Sequence, residues 1–370
     1  MTESSGVAQP LQFAYWVPNV SGGLVVSKIE QRTDWSYEYN KVLAQLAERN
    51  GFDYALTQVR YMASYGAAYQ HESTSFSLAL LLATERLKVI SAVHPGLWQP
   101  GVLAKFIATA DQISGGRAAI NVVSGWFKDE FTQLGEPWLE HGERYRRAEE
   151  FISYIREIWT SEDAEFNGDF YRLHNFDLKP KPLSSPSRPH PEIFQGGNST
   201  DARAMAGRVS DWYFANGNTP EGIEEQVKDV SAQAAVAGRT IRFGVNGFMI
   251  ARDTEAEARE TLREIIANAD REAVEGFGSA VKQAGQATGD RTGMWQDSEF
   301  ADLVQYNDGF RTGLIGTPEQ VARRALEYKR RGADLLLLGF LHFQEEVQYF
   351  GEKVLPIIRE LEAAEAEKAA

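Results

Sequence analysis

Eight times along the chain a short apolar run suited to a buried strand is followed by a longer stretch of helical period, and this alternation limits the fold more than any other feature. The runs lie at 13–17, 54–57, 88–93, 118–124, 192–196, 211–215, 242–251 and 335–340. The helical stretches lie near 37–49, 73–85, 100–113, 144–160, 200–208, 220–237, 254–269 with 317–331, and 345–365. Strands without a polar face belong in a parallel sheet covered on both sides. Eight β-then-α units closing on themselves make a (β/α)8 TIM barrel of the α/β class, read here as one domain over 1–370.

Local punctuation agrees with this register. Gly51, Gly238 and Gly332 each end a helical run before a strand, as C-terminal cap glycines do. Thr219-Pro220-Glu221 and Thr317-Pro318-Glu319 each set a capping threonine before proline and an acid in the first turn. A plain barrel needs about 250 residues, which leaves about 120 for insertions. The excess falls at 18–36, 125–143, 160–191 and 270–313. The third holds Pro180, Pro182, Pro186, Pro189 and Pro191 and reads as a surface loop. The fourth holds Gly276, Gly278, Gly285, Gly289 and Gly293 among polar residues, the composition of a mobile lid or of a connector without a role.

Composition narrows the chemistry. With 43% hydrophobic and 24% charged residues the chain is globular rather than disordered. Its net charge of −14 repels phosphate backbones and anionic lipid, so no nucleic acid and no membrane is expected as a partner. The absence of cysteine removes thiolate nucleophiles, disulfides and Cys-type metal sites, so redox chemistry would have to come from a cofactor. The first residues show no basic-then-apolar leader and no run approaches a bilayer span, so a cytoplasmic protein is expected.

In such a barrel the chemistry sits at the C-terminal ends of the strands. Seven of these ends read Tyr15-Trp16-Val17-Pro18-Asn19, Val93-His94-Pro95-Gly96-Leu97-Trp98, Asn121-Val122-Val123-Ser124-Gly125-Trp126-Phe127, Gln195-Gly196-Gly197-Asn198-Ser199-Thr200, Phe214-Ala215-Asn216-Gly217, Asn246-Gly247-Phe248 and Gly339-Phe340-Leu341-His342. None carries a carboxylate, so the paired acids of a glycosidase are missing. The six histidines show no metal-binding spacing, and no metal site is expected. Ser124 is not in a nucleophile elbow, and there is neither a P-loop nor a G-x-G-x-x-G. What remains is an apolar, flat-sided cavity with neutral hydrogen-bonding groups, suited to a planar cofactor with its own reactivity. Gly196 to Thr200 leave a strand and open a helix, a place where backbone N–H groups and hydroxyls hold a phosphate, or where Ser199 simply caps the helix. Asp201 beside it would compete with a bound dianion.

Residues 108–125 (ATADQISGGRAAINVVSG), together with HGERY at 141–145, FQGGNS at 194–199, IRFG at 241–244 and GFLH at 339–342, resemble in sequence and order the bacterial luciferase-like flavin monooxygenases, in particular their alkanesulfonate monooxygenase branch. FAYWVPNVSGGL at 13–24 and SAVHPGLWQP at 91–100 are more specific and resemble the dimethyl sulfone monooxygenases. The resemblance implies a TIM-barrel enzyme that takes reduced FMN (FMNH2) from a separate NAD(P)H-dependent FMN reductase, uses O2, and oxygenates a small organosulfur substrate, as a homo-oligomer of two or four chains. Carried over by position, Asn121 and Ser124 would face the flavin, while His141, Tyr145, Gly197, Asn198 and Ser199 would surround its phosphate. His342 would stand near the reacting face as acid or base, and Arg311 would close over the site from the lid, although a solvated loop arginine fits its sequence equally well. Arg144 would either join the phosphate site or serve as a structural pair or cap.

The departures bear on the substrate. Where the sulfonate enzymes carry Arg and His at the end of the seventh strand, this chain has Asn246 and Phe248, and their tyrosine two before the histidine is Phe340. A buried sulfonate needs a paired cation, whereas a neutral sulfone does not. Asn246, His94 and Trp98 are then expected to donate to the sulfone oxygens, and Phe248, Phe340 and Trp16 to hold its methyls. The expectation is oxidation of dimethyl sulfone to methanesulfinate and formaldehyde. An alkanesulfonate monooxygenase, a deazaflavin-dependent dehydrogenase of the same fold and a non-catalytic flavin-binding protein remain as alternatives.

Overall fold

The computed structural model describes residues 9–286, 295 and 297–369. Eight parallel strands close into a barrel: β1 (Gln12–Val17), β2 (Tyr54–Thr57), β3 (Lys88–Val93), β4 (Ala118–Val122), β5 (Glu192–Gly196), β6 (Trp212–Ala215), β7 (Arg242–Phe248) and β8 (Leu335–Gly339). Each pairs with its neighbours in chain order, and β8 returns to β1 with Tyr15 beside Leu338. Every residue of β8, Leu335-Leu336-Leu337-Leu338-Gly339, is buried. This is the mark of a strand covered on both faces, and each such leucine contributes about 2 kcal/mol of apolar burial.

Alternation along the strands splits the core in two. Ala14, Tyr54, Leu56, Ile90, Ala119, Phe194, Phe214 and Leu337 fill the barrel interior. Their neighbours Phe13, Tyr15, Val89, Val93, Ile120, Tyr213 and Val245 face outward onto the helices. The helices begin and end as their sequences require. Thr219 accepts from the Gly222 N–H at 3.2 Å, Thr317 forms a capping box with Gln320, and Gly51 takes the left-handed conformation (φ +83°) just after the helix Tyr37–Arg49.

The insertions are more ordered than their composition implies. The segment 125–143 contains the helix Lys128–Gln133, and 160–191 contains the antiparallel hairpin Ala164–Asn167 with Arg172–Phe176. The segment 270–313 opens with the helix Arg271–Gln286, so Gly276 and Gly278 lie inside a helix rather than in a loop; Gly278 sits where a Cβ would meet Leu303 at 3.1 Å. The rest of the lid reading falls partly on residues 287–294 and 296, outside the described residues. No described helix is long and apolar enough to cross a membrane.

Candidate functional site

One cavity opens at the C-terminal ends of the strands. Its volume of about 210 Å³ equals that of about seven water molecules at roughly 30 Å³ each, so its occupant is of organic size. Leu56, Ala92, Phe214 and Leu337 form the floor, with Trp16, Asn121, Asn216 and Asn246 just above them. Strand alternation aims these side chains inward. Trp16 Nε1–H donates to Asn246 Oδ1 at 3.0 Å, and Asn246 Nδ2 donates to the Ala215 carbonyl at 2.8 Å, so most of this amide is already committed to holding the rim.

On the β5 side, Gly197 takes φ +135°, and an added Cβ would meet Ala202 Cβ at 2.7 Å and the Tyr145 hydroxyl at 2.9 Å. That close approach requires glycine and brings the backbone to the cavity wall. Ser199 caps the helix Thr200–Val209, accepting from the Ala202 N–H at 3.2 Å, and its hydroxyl also lies 3.2 Å from His141 Nε2. The cap and the phosphate readings therefore coincide in one side chain. The rings of His141 and Tyr145 lie 4.9 Å apart, and burial raises the Tyr145 phenol above its usual value, keeping it a donor. Asp201 leans outward, its side chain 54% exposed, with Oδ2 at 3.7 Å from His141 Nε2. Arg144 is buried here, donating to the Leu139 carbonyl at 2.8 Å and stacking on Trp138, and burial lowers its pKa.

On the β4 side, Asn121 Oδ1 and Ser124 Oγ are buried against the cavity without a hydrogen-bond partner, as is Arg144 Nε at the β5 end. Orphaned polar atoms in a native interior call for a ligand or water. Above them the insertions supply an aromatic wall: Trp126, Phe277 and Trp295 meet edge to face at 5.4–6.0 Å, and Trp295 Nε1–H is held by the Tyr306 carbonyl at 2.7 Å.

The structure thus brings together Trp16, Asn121, Ser124, His141, Tyr145, Gly197, Asn198, Ser199 and Asn246 around one cavity. Six expected residues lie elsewhere. Phe340 has the outward parity of β8 and packs edge to face on Phe52 and Phe343. Phe248 is sealed under the Gly309–Thr312 turn, against Phe310. Trp98 packs on Phe106, behind the β3 end. His94 is buried with Nδ1 at 2.8 Å from the Val123 carbonyl and Nε2 at 3.3 Å from Glu130 Oε2, and so braces the 125–143 insertion. His342 is covered by the 18–36 insertion, its Nδ1 accepting from the Arg32 N–H at 3.1 Å; burial lowers its pKa, so it stands neutral. Arg311 lies on the Gly309–Thr312 turn beside Asp308 and does not line the cavity.

The expected neutrality of the site is also corrected, because Arg60 lines it. This residue follows β2, whose continuation Gln58-Val59-Arg60 is the eighth strand end and carries the cation in plain sequence. The aromatic wall was harder to read, because helices in an insertion carry no register relative to the barrel.

A family model described as luciferase-like monooxygenase matches residues 11–335. The chain belongs to the luciferase-like monooxygenase family. A Pseudomonas putida protein named FMNH(2)-dependent dimethylsulfone monooxygenase is 64% identical over 356 residues, covering 96% of this chain and 97% of that protein. A protein of the same name from Pseudomonas fluorescens (strain Pf0-1) is 61% identical, covering 96% of each chain. Among solved structures, the EDTA monooxygenase of Chelativorans sp. BNC1 shares the fold with a TM-score of 0.80 at 20% identity, covering 95% of this chain and 94% of that one. Membership of the luciferase-like family accounts for the barrel and for the position of the cavity at its mouth.

Proposed function

We propose that the chain is the oxygenase of a two-component system: it takes reduced FMN from a separate NAD(P)H-dependent reductase and, with O2, converts dimethyl sulfone to methanesulfinate and formaldehyde. The observation that carries this reading is the near full-length identity of 64% to a protein named for that activity. The cavity fits the cofactor. Ser199, His141, Tyr145 and the Gly197–Asn198 backbone would hold the phosphate, and the unpartnered Asn121 Oδ1 and Ser124 Oγ would meet the polar edge of the ring system.

When bound, reduced FMN supplies the electrons for oxygen insertion, which no side chain here can do. The chain's own part is to bind, orient and keep dry. Trp16, tied to Asn246, holds the rim, and Trp126, Phe277 and Trp295 shield the mouth from solvent. Insertion of one oxygen atom into a methyl C–H bond of the sulfone gives a hydroxymethyl sulfone. Loss of its hydroxyl proton forms the C=O bond of formaldehyde, and the C–S bond breaks with its electron pair leaving on sulfur as sulfinate. The second oxygen atom leaves as water, with FMN oxidised.

A second reading, turnover of short alkanesulfonates, is favoured by the cationic Arg60 in the wall. Both are tested by mixing the protein with photoreduced FMN without oxygen, adding oxygenated buffer with dimethyl sulfone or methanesulfonate, and assaying formaldehyde, sulfite and H2O2. Formaldehyde in step with oxygen consumed, and a preference for the sulfone, is the expected outcome. Release of H2O2 alone, or preference for methanesulfonate, overturns it. The same reading places the protein in the cytoplasm as a dimer or tetramer, and sedimentation velocity checks the assembly.

A further inference from the structure

We propose that Arg60 anchors an anion subsite at the β2 end of the cavity, and that its ligands are small sulfur oxyanions, methanesulfinate first, held through two oxygens on one sulfur. The side chain lines the cavity, and its guanidinium carbon stands 4.2 Å above the Trp126 ring. One N–H is spent on the Val59 carbonyl at 3.1 Å. No carboxylate among the described residues pairs with it. Glu130 lies near enough to be felt, but its oxygens face the Tyr61 and Met62 N–H groups and His94. Glu130 thereby fixes the main chain next to Arg60 and attracts its charge from a distance, but makes no direct ion pair or hydrogen bond with the guanidinium. Burial lowers the Arg60 pKa, and the opposing charge of Glu130, which makes no ion pair with it, does not offset that loss of water.

The subsite is separate from the phosphate cradle. Arg60 follows β2 and Ser199 follows β5, with β3 and β4 between them in the barrel. A guanidinium presents a planar fork of donors that matches two oxygens on one centre, and aromatic walls strengthen the interaction by excluding water. Dimethyl sulfone and methanesulfinate both offer an O–S–O edge, but only the sulfinate carries a full charge. The site therefore holds product more tightly than substrate. Sulfinate as the natural ligand rests on the proposed function; the unpaired cation does not.

The test is calorimetric titration of sodium methanesulfinate into the flavin-free protein at constant ionic strength. Wild type is expected to bind one equivalent. Arg60→Met is expected to weaken binding by about 10- to 100-fold, the usual worth of hydrogen bonds to a charged group. Arg60→Lys, which keeps the charge without the fork, is expected to fall between them and guards against a folding defect in the first variant. Ser199→Ala, in the phosphate cradle, is expected to leave sulfinate affinity unchanged. No saturable binding in wild type, equal binding in Arg60→Met, or loss confined to Ser199→Ala would each overturn the subsite. If sulfinate binds through Arg60 while dimethyl sulfone is not turned over, the subsite stands and the proposed function fails.

Discussion

The two ends of this barrel carry polar groups in opposite condition. At the N-terminal end, Glu192 accepts from Lys88 Nζ at 2.8 Å, Trp212 Nε1 at 3.0 Å and the Tyr54 hydroxyl at 3.0 Å, with Arg242 stacked 3.8 Å over Trp212. Lys88 comes first among the interactions that hold this carboxyl below its ordinary value against the opposing effect of burial. At the C-terminal end, Asn121, Ser124 and Arg144 each keep a buried polar atom without a partner, and Arg60 has no counter-ion among the described residues. The N-terminal end, which is the floor of the barrel as distinct from the apolar floor of the cavity, has the acceptor at its centre fully matched and so stabilises the fold. A mouth left incomplete keeps its bonding capacity for a ligand.

The contrast breaks most visibly at the floor. Glu192→Ala would leave Lys88, Trp212 and Tyr54 without their shared acceptor, and a loss of about 1.5–3 kcal/mol is expected from removing the partly buried carboxylate of a hydrogen-bonded cluster, whose partly exposed Lys88 is screened by solvent. Urea unfolding at constant m-value measures it. A loss below about 1 kcal/mol would put the floor in the class of surface ion pairs and erase the distinction.

At the mouth the same kind of substitution should do the reverse. Asn121→Ala removes an oxygen that bonds to nothing in the protein, so stability is expected to hold or rise slightly, while affinity for FMN falls by about tenfold for one lost hydrogen bond. Flavin titration followed by fluorescence, alongside urea unfolding, reads both. A loss of stability with unchanged flavin affinity would mean that Asn121 belongs with the floor.

How far the sequence carries depends on where a residue is anchored. Strand-borne residues are legible, because alternation assigns each to the interior or the exterior: Trp16, Asn121 and Asn246 share the inward parity, and the outward parity of Phe340 could have been read from Leu335 to Gly339 in the same way. The glycine turn is legible because a strand, two glycines and a capping serine leave little freedom. Residues governed by insertions are not. His342 follows a readable strand, but Arg32 and Thr33 of a distant loop fold against it, and Arg32 engages it. The dimethyl sulfone reading reached the activity named for the relatives through a neutral site, although Arg60 makes the site cationic. The motifs at 13–24 and 91–100 carry that likeness, and the charge of the site does not.

A buried acid beside the mouth, next to the Asn216-Gly217 end of β6, sharpens the comparison through pH. Asp308 sits at φ +56°, accepts from the Ser298 hydroxyl at 2.7 Å, and is pushed by burial from 3.8 up to about 6. A folded-state pKa above the unfolded one means that folding takes up a proton between these values. The contribution of Asp308 to stability therefore falls as pH rises through this window, by on the order of 2–3 kcal/mol. Asp308→Asn keeps the acceptor oxygen for Ser298 and removes the charge. The expected result is a variant more stable than wild type at pH 7, with the gap closing by pH 4. Parallel pH–stability curves for the two proteins would show that this acid is not a source of strain.

The smallest effect is expected at His342, and it separates position in the chain from position in the site. The residue follows the strand β8 at the start of the next helix, as an acid or base of a barrel enzyme would, yet its Nδ1 is engaged by the Arg32 N–H and its ring lies outside the cavity. Removing a working general acid or base costs about 10²- to 10⁴-fold in rate. For His342→Ala the expected change in kcat/KM for dimethyl sulfone is under about threefold, well below 1 kcal/mol of transition-state stabilisation. A hundredfold loss at unchanged stability would mean that the 18–36 insertion moves aside during turnover and that the mouth extends to β8. A small loss would leave proton movement to groups that do line the cavity, among which Tyr145 is a buried donor beside Ser199 and His141.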